Sequence, residues 1–211
     1  MLNRVHKLVK SLARGRNIWL LGITTALLVV IFNVVKLPDF IAGQLGYSGA
    51  QPMFAIDLQF NYSPAWVYTV LGDYGEQGRA AYVYLSGVFD FIFPLIYTLF
   101  LATTLSAILS RLLPGGSNWQ KLSLFGLLPG IMDWLENIGI LSLIFNYPHQ
   151  LPWLVNITNI FTMAKYLFVL SNLLIIISGG VILLLRRKKF TAATIKPSLN
   201  SDTGNSRNKD I

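Results

Sequence analysis

The stretches AYVYLSGVFDFIFPLIYTLFLATT (residues 81–104) and LSLFGLLPGIMDWLENIGILSLIF (residues 122–145) decide the fold. Each is long and apolar enough to cross a bilayer as a helix, which takes about 20 residues. Each also carries acid where hydrocarbon would surround it: Asp90 in the first, Asp133 and Glu136 in the second. A carboxylate is costly at membrane depth, so it faces a partner, a cavity or a ligand.

Working outward, two more apolar stretches flank this pair, and the predicted spans run near 18–37, 80–108, 120–146 and 157–185. Of 211 residues, 54% are hydrophobic and 12% charged; a soluble domain carries about 25% charged residues. The predicted fold is all-α, a polytopic four-transmembrane-helix bundle over residues 17–189. A basic amphipathic lead (1–16) precedes it and a polar, turn-rich tail (190–211) follows, expected to be disordered. On the lead, Val5, Leu8, Val9 and Leu12 share a helical face that would rest on the inner membrane surface. Span one is too long for a signal-peptide core and is read as retained.

The net charge of +8 is distributed, not clustered. Arg4, Lys7, Lys10, Arg14 and Arg16 precede span one, Arg111 and Lys121 lie between spans two and three, and Arg186, Arg187, Lys188 and Lys189 follow span four. Lys196, Arg207 and Lys209 lie beyond, whereas Lys36 and Arg79 alone fall on the opposite side. This is the positive-inside pattern, and it predicts cytoplasmic termini. The basic flanks would attract anionic lipid headgroups at the cytoplasmic face. The charge is too dispersed and too near the spans to point to nucleic acid. With no organelle signal in view, a bacterial plasma membrane is the expected location, and a chain this small would need a homo-oligomer for transport.

The connection at 38–79 is long for a structureless loop, which predicts a small folded outer cap. MFAIDLQF (53–60) alternates apolar and other residues, a strand signal. Ser63-Pro64 starts a helix with an apolar stripe of Trp66, Val67, Val70 and Leu71, stopping near Gly72 to Gly75. A second helix starts at Glu76 and runs into span two. The interfacial helix would either seat over the bundle's outer mouth or form a lipid-facing skirt.

Helical spacing places Arg79, Ser86, Asp90 and Tyr97 in one wedge of span two, with Tyr82 at its edge. Gly126, Asp133 and Asn137 share a face of span three, with Gly130 and Glu136 beside it. On span four, Thr158, Lys165, Asn172 and Gly179 recur every seven residues, and on span one Gly22, Ala26 and Asn33 share a face. Counting rises from the outer ends puts Asp90 and Glu136 roughly 15 Å below the outer boundary. Pro94 frees the carbonyl of Asp90, and Pro129 that of Phe125. The candidate ligand-binding residues are therefore Asp90, Asp133, Glu136, Asn137, Lys165, Arg79, Tyr82 and Ser86. Lys165 could equally serve as counter-ion in an acid–lysine pair that only holds helices together, and the GLLPG of Gly126 to Gly130 reads as a helix contact.

The count of four spans with intramembrane acids resembles the sterol-binding and sterol-isomerase EXPERA group, a likeness of architecture to which no motif adds. The cysteine-dependent vitamin K epoxide reductase group is excluded, because the chain has no cysteine. Thiol catalysis, disulfides and thiolate metal sites are excluded with it. His6 and His149 are isolated, so no histidine metal site is predicted, and no cofactor is named by any motif. Three functions are left by the sequence. The leading one is an intramembrane acidic site in the outer half that binds, or by extension transports, a cation or lipid-like ligand. The others are a lipid-modifying enzyme using carboxylate acid/base chemistry and a non-catalytic assembly or scaffold protein.

Overall fold

A computed structural model describes residues 1–195, with side chains through Arg187. Helix α1 (Leu2–Leu12) leads into α2 (Gly15–Asn33), the first span. The connection to the second span holds α3 (Leu37–Gln44), α4 (Ala55–Leu58) and α5 (Pro64–Asp73). The second span is continuous from α6 (Gly75–Leu85) through a π turn (Ser86–Asp90) into α7 (Ile92–Leu112). A 3-10 helix (Asn118–Leu127) passes directly into α8 (Leu128–Asn146), and α9 (Pro152–Ile195) forms the fourth span. All four are long and apolar enough to cross a membrane, and the chain is a multi-pass integral membrane protein. No strand occurs among the described residues.

Spans two, three and four pack closely, and span one lies against the side of α7. None of the residues of α2 is buried. Glycines set the close approaches. A Cβ on Gly126 would stand 2.5 Å from the Ala102 backbone, and one on Gly130 would meet Thr98 and the Pro94 carbonyl. Gly139 is pressed against Thr158 of α9. The Gly126–Gly130 pair is thus a helix contact between spans two and three. Lipid takes the remaining faces, where side chains such as Leu20, Leu167 and Leu174 stand exposed.

The connection between spans one and two departs from its sequence reading at one point. The alternating MFAIDLQF folds as the single turn α4, not as a strand. Burial explains the pattern without pairing: Met53, Phe54 and Ile56 enter a core with Val67, Val70, Leu71, Tyr74 and Tyr82. Phe54 stands at φ 62°, a left-handed conformation that is costly for a bulky residue. The turn is held there by Tyr74, whose hydroxyl accepts from Ala55 N at 3.2 Å and donates to the Pro52 carbonyl at 3.0 Å. Burial pushes the Tyr74 phenol above its ordinary pKa, so it remains a donor. Helix α5 starts as its sequence predicts, with Ser63 Oγ accepting from Trp66 N at 3.3 Å.

Three further details differ from expectation. Helix α1 does not stand free: Val9 is buried, α1 packs on α7 and the 3-10 helix, and Lys10 Nζ donates to Gln120 Oε1 at 2.9 Å. Pro129 sits in the first turn of α8, so the Phe125 carbonyl ends a 3-10 helix instead of marking an interior break. Helix α9 continues to Ile195, into the segment expected to be disordered, and residues 196–211 lie outside the described residues.

Gly126→Ala should destabilise the bundle by about 1–3 kcal/mol, the usual cost of overpacking. Gly180→Ala, with nothing within 4 Å of the new methyl, should be neutral or stabilising. Thermal unfolding of both variants in one detergent checks the opposite signs.

Candidate functional site

The site forms where α8 and α9 meet the single turn α4. Glu136 and Asp133 lie one turn apart on α8, and Lys165 of α9 reaches both. Its Nζ stands 2.6 Å from Glu136 Oε2, 3.4 Å from Asp133 Oδ1 and 3.0 Å from Asp57 Oδ1. Asp57 belongs to α4, so the ammonium ties the connection to the spans. Oxygens of Asp57, Asp133 and Glu136 lie within 4.8 Å of one another. That spacing would suit a metal ion, but here the lysine ammonium takes the central place.

The remaining oxygens are engaged as well. Tyr97 donates to Asp133 Oδ2 at 2.9 Å. Thr162 Oγ1 donates to Glu136 Oε1 at 2.6 Å, which leaves Tyr62 to donate to Thr162 across 2.9 Å. Tyr62 sits in the connection, and burial raises its phenol above the ordinary value and keeps it a donor. The docking face of α9 continues with Asn159, which donates to Asn61 Oδ1 at 2.8 Å, and Tyr166, which donates to the Leu58 carbonyl at 3.3 Å.

Asp90 lies beside this cluster and not in it. It is 7% exposed, is not among the partners of Lys165, and its Oδ2 has no hydrogen-bond partner. Its backbone carbonyl, freed by Pro94, accepts from Asn137 Nδ2 at 2.9 Å. A break at membrane depth is thereby satisfied by the neighbouring helix.

The structure brings together Asp133, Glu136 and Lys165, with Asp90 and Asn137 alongside; Tyr82 and Ser86 are buried on the Asp90 side. Arg79 is elsewhere. Its Nη1 donates to the Leu71 carbonyl at 2.8 Å, and its guanidinium lies 4.1 Å above the Tyr147 ring. The sequence reading missed Asp57, treating it as the polar step of a strand. An acid set among Phe54, Ile56, Leu58 and Phe60 was the available signal.

A cavity of about 430 Å³ opens from the cluster. Asp57, Asp90, Asp133 and Lys165 line its polar end; Val29, Phe93, Phe100 and Leu173 line its apolar wall. The first span supplies a depth scale, because its 19 residues match one bilayer core at about 28 Å. Phe32, in its last turn, packs edge-on against Phe89 at 5.3 Å and Phe93 at 5.6 Å. The Asp90 segment is therefore level with the last turn of span one. The second span is a 38-residue helix, Gly75–Leu112, longer than a bilayer needs. Along the second span the slot runs from Asp90 and Phe93 to Phe100 and Leu101, and α2 contributes Thr25 and Val29.

Comparison with known proteins gave no match to a family model, a curated protein or a solved structure.

Replacing Lys165 by Met would leave three carboxyl groups packed together without their counter-ion. The expected loss is about 3–5 kcal/mol, as for other buried pairs broken on one side. Adding Asp57→Asn should recover part of it, and a double-mutant cycle on unfolding midpoints measures the coupling.

Proposed function

We propose that the protein binds a membrane amphiphile with a cationic head, received from the outer leaflet. The observation that carries this reading is the slot itself: one polar end at the level where span one leaves the hydrocarbon, and an apolar channel descending from it. Its volume falls within the roughly 300–1,000 Å³ of ordinary small-molecule sites. A lipid standing in the outer leaflet has the same polarity profile. The cluster and Asp90 together hold four carboxyl groups against one ammonium. That balance repels phosphate or sulfate heads and favours an ammonium.

In this scheme the termini are cytoplasmic, the α3–α5 connection is an outer cap, and the host is a bacterial plasma membrane. Asp57 and Asp133 receive the head group, while Lys165 yields part of its coordination. The slot is walled by α2 on one side and α9 on the other, with α7 behind, so the ligand enters sideways. Span one packs on α7 and not closely on α9, which leaves that side open.

The test uses protein in nanodiscs of zwitterionic lipid, titrated with dodecylammonium, dodecyl sulfate, dodecanol or tetramethylammonium. Dodecylammonium should raise the unfolding midpoint, by the equivalent of about 2.7 kcal/mol at a hundredfold excess over Kd. Val29→Trp, which fills the slot and touches no acid, should remove the effect. Equal stabilisation by the sulfate, or by tetramethylammonium alone, would sink the proposal.

A further inference from the structure

We propose that a second site lies behind Asp90: an alkali-metal cation, of sodium class, held by oxygens of Tyr82, Ser86, Asp90 and Asn137. Each of these side chains is at least nine-tenths buried, with exposures of 1%, 0%, 7% and 1%. Each carries an oxygen without a hydrogen-bond partner: the Tyr82 hydroxyl, Ser86 Oγ, Asp90 Oδ2 and Asn137 Oδ1. Buried polar atoms are almost always satisfied, so four orphans on adjoining residues call for a ligand.

The backbone explains how they meet. In an unbroken α-helix, Tyr82 and Asp90 would be turned about 80° apart. A π turn closes i→i+5 bonds and advances only roughly 80–85° per residue. The turn at Ser86–Asp90 therefore cancels most of that offset and stacks Tyr82, Ser86 and Asp90 along one line of the second span. Ser86 lies beside the Asp90 carboxylate without completing a well-formed hydrogen bond, and the Tyr82 hydroxyl lies in the field of Asp90. From the third span, Asn137 spends its Nδ2 on the Asp90 carbonyl, which turns its Oδ1 the other way as an acceptor.

The donor set names the class of ion. All four atoms are oxygens, which suits hard cations over soft ones. One carboxylate among three neutral oxygens balances one positive charge. The neighbouring acids do not compete for the same ion, because Lys165 already occupies them. Access fits too, since Asp90 is level with the last turn of span one and an ion from the outer face has little hydrocarbon to cross. This inference does not depend on the amphiphile reading, because Tyr82, Ser86 and Asn137 do not line the slot and only Asp90 is shared with it.

The experiment is thermal unfolding of the full chain in nonionic detergent, without added amphiphile, in sodium chloride against choline chloride at equal ionic strength. Sodium should raise the wild-type midpoint saturably, and Asp90→Asn should abolish the response. Tyr82→Phe and Ser86→Ala remove one ligand each while keeping the side-chain volume nearly unchanged. Each should weaken the apparent sodium affinity tenfold or more, and they carry the test if Asp90→Asn does not fold. An equal response to choline chloride, or a sodium response that survives Asp90→Asn, overturns the proposal. So does a midpoint that follows pH alone with sodium inert, which would assign a proton to Asp90.

Discussion

The largest ionic cluster of this bundle is arranged around one ammonium group. Lys165 Nζ lies within 3.4 Å of carboxylate oxygens from Asp57, Asp133 and Glu136. An ammonium removed from water costs several kcal/mol, and a single buried pair often fails to recover that loss. Here three acids converge on it, and Tyr97 and Thr162 donate to the acids in turn. The cluster therefore satisfies its own lone pairs, which is the condition for a buried network to hold. It also sets the tertiary arrangement, because the three acids come from two different parts of the chain. Asp133 and Glu136 fix α8 to α9, and Asp57 fixes α4 to both. The left-handed backbone at Phe54 is strain held in place by the burial of Phe54 and the hydrogen bonds of Tyr74.

A second constraint runs through Pro94. Without its N–H, the second span cannot continue its hydrogen-bond ladder past Asp90. The helix answers with a π turn, and the third span answers with the Asn137 amide. Both responses concern backbone, yet both decide where side chains go. The π turn rotates Asp90 toward Ser86 and Tyr82, and Asn137 commits its donor to the carbonyl. Gly130, one turn before Asp133, lets Pro94 and Thr98 approach closely enough for this contact. Proline, glycine, asparagine and aspartate are thus a single device spread over two helices.

The four spans and the three acids set within two of them were legible because hydropathy and charge are local properties of a window. Lys165 was legible for the same reason, as were its span-three partners Asp133 and Glu136, whereas Asp57 was not. Asp57 was hidden because MFAIDLQF has the period of a strand, and only tertiary burial shows that Met53, Phe54 and Ile56 enter one core while Leu58 and Phe60 stay exposed. Arg79 misled because a wedge on a helical wheel carries no information about axial reach. It lies three turns above Asp90, and its guanidinium is taken by Leu71 and Tyr147. Depth is not legible in apolar length alone, because helices of 38 and 36 residues exceed one bilayer thickness whereas the short first span matches it.

On the amphiphile reading proposed above, the depth of the site decides its physics. A carboxylate 15 Å inside hydrocarbon would need full neutralisation, whereas one at the hydrocarbon edge can exchange ions with water beneath a protein cover. The peripheral packing of span one then acquires a purpose. A fourth helix closed tightly around the bundle would bury the slot. One laid only on α7 leaves the gap beside α9 open to lipid while still supplying Val29 and Thr25 to its wall. In that reading an amphiphile would enter the gap without its head crossing hydrocarbon, because head and acids would meet at the same depth. The energetic barrier to binding is then the reordering of Lys165 and its three carboxylates. Since Asp57 is one of them, any ligand that loosens the ammonium also loosens the hold on α4, so occupancy of the slot and the seating of the connection are linked through one residue.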